Sequence, residues 1–158
     1  MDLLFVFEWL DQSFLASISK AYGGVFAVVQ MFHLAALALM GGMVLVSDLR
    51  LLNIIMRDLP LQEVVGETNR WFDISLVVVF LSGIFMSSAV ALKLYYNEMY
   101  WAKMSALLVG ICFVYFVRRP LLRFDHETFN PWALRGVAIS SIFIWFTVAA
   151  CGRWIGFS

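Results

Sequence analysis

Charge is what this chain has least of. Only 14% of its 158 residues are Asp, Glu, Lys or Arg, against about 25% in a soluble domain. The two signs balance at eleven each, so no basic field exists to attract nucleic acid, and no nucleic-acid partner is expected. Cysteine is nearly absent. Cys112 and Cys151 both lie in apolar runs, form no CxxC pattern and stand at different depths, so neither a metal knot nor a disulfide is expected. There is no Gly-rich phosphate loop, no HExxH and no Ser/His/Asp arrangement, which removes support for hydrolase and nucleotide-dependent readings. No internal repeat and no low-complexity segment stands out. The first residues, MDLLFVFEWL, are acidic where a signal peptide is basic, and no small-residue cleavage site follows them, so a removable signal peptide is not expected.

What fills the chain instead is hydrocarbon. It is 63% hydrophobic, with a mean hydropathy of +0.87. That excess is too large for one soluble core and points to an integral membrane protein in contact with lipid. The expected fold is all-α: an antiparallel four-helix transmembrane bundle preceded by an N-terminal amphipathic interfacial helix. Residues 1–20 form the interfacial helix. Residues 21–158 form the membrane domain, with spans at about 24–47, 74–93, 101–118 and 132–152.

Local signals set these bounds. In the first segment Glu8, Asp11, Gln12 and Ser19 share one helical face, and Leu3, Phe7, Leu10 and Phe14 another. Tyr22-Gly23-Gly24 is a breaker. Asp48-Leu49-Arg50 reads as charge at a headgroup boundary. Trp71-Phe72 and Tyr100-Trp101 are interfacial aromatics. Arg118-Arg119-Pro120 is expected to stop the third span, because proline lacks the N–H that continues a helix. Asn130-Pro131-Trp132 reads as the start of the fourth. Three small pairs, Ala38/Gly42, Gly83/Ser87 and Gly136/Ser140, allow close helix approach. They exceed what one bundle needs, so a homodimer or other homo-oligomer is expected. Seven basic residues (Arg50, Arg57, Arg70, Arg118, Arg119, Arg123, Arg135) flank the turns after spans 1 and 3, against four on the other side. Those turns are therefore expected in the cytoplasm, with both termini outside.

The chemistry rests on one imidazole. His33 lies about ten residues into span 1, hence about 15 Å deep at 1.5 Å per residue. An ionisable side chain at that depth is costly and functional by default. Neutral imidazole is a common axial ligand for haem iron between helices. The bland alternative is a histidine hydrogen-bonded across helices, with Ser82, Ser87, Ser88 or Thr147 as partner. Met86 is a candidate second ligand; a second copy of His33 across a dimer axis and a five-coordinate haem are the other routes. Lys103 and Arg153 are candidates to pair with a propionate or another anion, Lys103 also being able to snorkel. Gln30, one turn before His33, is a candidate to orient its ring or to hold a ligand. Asp125-His126-Glu127 are three consecutive residues, which do not easily converge on one ion, and they read as a solvated charge run.

The run from His33-Leu34-Ala35 through Gly41-Gly42 to Ser47-Asp48-Leu49-Arg50-Leu51-Leu52 resembles a family of small uncharacterised bacterial inner-membrane proteins. Trp71 to Gly83 and Tyr100-Trp101-Ala102-Lys103 share that resemblance. More distantly the chain is similar to copper-resistance D and cytochrome b type four-helix bundles. That likeness implies haem b or copper and electron transfer, with His33 and Lys103 matching by position. A second intramembrane histidine is lacking, so ligation by two histidines within one protomer is not expected. The leading expectation is a haem b protein passing electrons to a redox partner protein near the outer face of the inner membrane. A metal-ion or proton transporter, and an accessory subunit of a larger complex, are the alternatives.

Overall fold

The computed structural model describes residues 3–123 and 131–155. Asp125-His126-Glu127 and Asn130 lie outside the described residues. The elements in chain order are α1 (Leu4–Asp11), α2 (Phe14–Ala21), α3 (Gly23–Leu51), α4 (Leu61–Ala89), α5 (Ala91–Tyr95), α6 (Glu98–Cys112), a π-helical segment (Phe113–Arg118), α7 (Arg119–Arg123) and α8 (Pro131–Trp154). Four stretches are long and apolar enough to cross a membrane: Gly23–Leu51, Leu61–Ala89, Glu98–Leu122 and Trp132–Trp154. The chain is an all-α bundle, as its composition requires.

The N-terminal segment is two helices, not one. Ser13 makes the break. Its hydroxyl donates to the Leu10 carbonyl at 2.6 Å, closing α1, and accepts from the Ala16 amide at 3.2 Å, opening α2. A serine in extended conformation is a preferred N-cap for this reason. Phe7 on α1 then packs into an aromatic cluster with Tyr95, Tyr100 and Trp101, at ring separations of 5.4 to 6.2 Å. α2 lies against α4 and buries Ala16 and Ser19.

α3 ends in a Schellman motif. Asn53, at φ 59°, donates to the Arg50 carbonyl, and the Ile54 amide reaches back to Leu49. Asparagine tolerates the left-handed conformation that this cap demands. After the turn, α4 begins behind Pro60, well before its membrane-crossing residues.

Helix association in lipid gains little from the hydrophobic effect, so close packing and internal hydrogen bonds must hold the bundle. α3 and α4 are the most intimate pair. On α4, Thr68, Ser75 and Ser82 repeat every seven residues, are buried, and each satisfies its hydroxyl on a carbonyl of its own helix. Ser82 meets His33 of α3. α6 packs chiefly on α8, closest at Gly110, where a Cβ would come within 3.3 Å of Ile144. α4 and α6 make no such close backbone approach. The central layer is Met40, Val44, Phe72, Val114, Trp145 and Val148. Phe72 meets Trp145 edge to face at 5.4 Å.

The third span does not stop at Arg118. The chain winds through one π turn, in which the Arg119 amide bonds back five residues to Val114, and then continues as α7 through Pro120. The wider turn changes the hydrogen-bond register just ahead of a residue that has no N–H to give. It therefore absorbs the proline without ending the helix.

A candidate ligand site around His33

His33 is 8% exposed and projects from α3 toward α4. Its Nδ1 lies 2.7 Å from Ser82 Oγ. Ser82 Oγ also makes a short hydrogen bond to the Val78 carbonyl one turn back. A carbonyl only accepts, so that bond uses the single Ser82 proton. The serine oxygen then accepts from His33 Nδ1–H. In that arrangement the proton is on Nδ1 and Nε2 carries a lone pair; with the Ser82 proton turned to the ring instead, the two roles exchange. The first arrangement, a lone-pair nitrogen fixed by a hydrogen bond on the other ring nitrogen, is the usual state of a metal-ligating histidine.

Two glycines shape the surroundings. A Cβ on Gly83 would stand 3.5 Å from His33 Cε1, so the bare helix backbone lets the ring lie against α4. A Cβ on Gly152 would stand 3.6 to 3.8 Å from the end of the Lys103 side chain, which lies along α8. His33 and Lys103 sit in the half of the bundle that carries the aromatic cluster.

The other expected site residues are placed as follows. Met86 is half-buried, one turn beyond Ser82 on the same side of α4. Gln30 is exposed and makes no hydrogen bond to the ring, whose orientation Ser82 sets instead. Arg153 is exposed at the end of α8. Among the described residues no three His, Cys, Asp or Glu side chains gather as a metal-binding group.

A second polar level lies toward the opposite end. Arg118 Nη2 meets Asp48 Oδ1 at 3.0 Å, with side chains 2% and 0% exposed. Next to it, Asp73 of α4 accepts from Arg119 and from the Tyr115 hydroxyl at 2.6 Å, and Arg119 lies over the Tyr115 ring at 4.3 Å. Sequence reasoning read Asp48 and Arg118 as boundary charges. Their pairing spans 70 positions and leaves no local pattern.

The architecture is that of a four-span helical bundle with one interior imidazole near one end and a buried ion pair near the other. The chain belongs to DUF6644, a family of unknown function, which matches it over residues 6–158. No curated protein and no solved structure matches it.

Proposed function

We propose that this is a membrane haem b protein in which His33 Nε2 supplies an axial ligand. The observation that carries the reading is the Val78–Ser82–His33 relay, which leaves the lone pair of Nε2 to be used. The donor set favours haem over a bare ion. A single imidazole does not hold an ion alone, whereas a porphyrin brings its own four nitrogens and needs the protein only along its axis. Bound there, the iron would supply one-electron chemistry.

The residues fit one axial position. His33 is preorganised by Ser82. Gly83 lets the ring lie against the backbone of α4. Lys103 offers an ammonium for a propionate, with Arg153 as a second cation at the same end. Met86 would be the candidate second ligand.

The transport alternative has less support. The layer of Met40, Val44, Phe72, Val114 and Trp145 separates the two polar levels with apolar side chains. The accessory-subunit alternative rests on the same His33–Ser82 hydrogen bond taken as packing alone. The setting we infer is the bacterial inner membrane, with both termini outside and the arginine-flanked turns in the cytoplasm. A homodimer is the assembly we infer. Cβ atoms on Gly41, Gly42 and Gly136 would meet nothing within 4 Å among the described residues, which leaves those small-residue faces to a second copy.

The test is the visible absorption spectrum of the full chain purified from its membrane. A Soret band is expected. A folded, colourless protein that also fails to take up added hemin contradicts the reading.

A further inference from the structure

The Asp48–Arg118 pair is incompletely satisfied. One bond joins Arg118 Nη2 to Asp48 Oδ1. Asp48 Oδ2, Arg118 Nε and Ser141 Oγ are buried and have no hydrogen-bond partner among the described residues. Ser141, on α8, is 0% exposed and neighbours the Asp48 carboxylate. Ser47, next to Asp48 on α3, is 0% exposed, and its hydroxyl is likewise without a partner. Buried polar groups in folded proteins nearly always find a partner, often ordered water. Here several that lack one belong to a single charge pair and the residues beside it.

The chemistry of the set selects its occupant. A cation would be repelled by the Arg118 guanidinium, and an anion by the Asp48 carboxylate. What remains is a small neutral molecule that both donates and accepts. It would donate to Asp48 Oδ2, accept from Arg118 Nε–H, and do either with the Ser141 hydroxyl. Three such partners are what an internal water ordinarily has. The way in is short, because Asp48 lies one turn from the end of α3.

We propose that the Asp48–Arg118–Ser141 node is a hydration site: it binds internal water that bridges the second carboxylate oxygen to the guanidinium Nε and the Ser141 hydroxyl. The node then joins α3, the π segment and α8 through water as well as through charge. It is independent of any ligand at His33.

Water-edited solid-state NMR on the full chain in lipid bilayers, labelled with 15N-arginine, tests this directly. The Arg118 Nε resonance is identified by its loss in Arg118→Lys. It is expected to gain polarisation from water nearly as fast as exposed Arg57, and to lose that gain in Ser141→Val, where a methyl displaces the hydroxyl. An Arg118 signal that stays dark in the wild type after Arg57 has built up overturns the proposal. So does transfer that survives unchanged in Ser141→Val. If that variant does not fold, the wild-type measurement alone decides.

Discussion

Asp48 and Arg118 stand 70 positions apart and meet at 3.0 Å inside the protein, where neither side chain reaches the surface. The π turn at Phe113–Arg118 delivers Arg118 to that point, and the last turns of α3 deliver Asp48. Desolvating two charges is expensive, and their attraction repays it only while both remain. The pair is therefore a source of specificity first: it selects the one register in which α3 and the third span oppose the two charges.

Removing either charge alone leaves the other buried and unpaired. Asp48→Leu or Arg118→Met should each destabilise the bundle by about 3–5 kcal/mol. The two substitutions together should recover most of that loss. A double-mutant cycle of unfolding free energies in mixed micelles measures this, and additive losses would mean that the two residues do not interact.

Helix spacing is set at Gly110 and not at Gly136. Gly110→Leu drives a side chain into Ile144 and Trp145, and should cost about 1–3 kcal/mol by overpacking. Gly136→Leu meets open space, and should change protomer stability by less than about 1 kcal/mol. The second variant also reads the assembly. A dimer that uses the Gly136 face dissociates in Gly136→Leu, as size-exclusion chromatography with light scattering would show.

Ser82 acts through His33. Ser82→Ala leaves the ring free to turn and to exchange tautomers, and should weaken haem binding by about ten- to a hundredfold. Its direct signature is in 15N spectra of the haem-free protein. Wild type should show His33 protonated at Nδ1 alone, and the variant a mixture.

The turn after α3 should face the cytoplasm. In a Cys112→Ala, Cys151→Ala background, a cysteine at Met56 should react with an impermeant maleimide only after the cells are opened. Labelling in intact cells would invert the orientation.

Much of this could be read from the sequence, and the reasons are local. The four spans show because charge disappears from them. His33 shows because it is the lone imidazole in such a run, and Ser82 was among four hydroxyls within reach of it. The Ser13 break was less visible, because the amphipathic pattern of residues 1–20 continues across it. The π turn was hidden for a related reason: Arg118-Arg119-Pro120 carries every local sign of a stop. Asp48–Arg118 was hidden by disguise, each charge having neighbours that make it look like a headgroup contact. Pairings over 70 positions belong to packing, and local periodicity does not encode them.

Hemin titration of the haem-free chain in lipid nanodiscs, with empty nanodiscs as reference, tests the assignment of His33 most directly. Wild type should bind hemin with a sharp Soret shift at a fixed stoichiometry. His33→Ala should lose that shift while keeping its helical content, and Lys103→Ala should weaken binding without abolishing it. Equal spectra and equal affinities for wild type and His33→Ala would contradict the account.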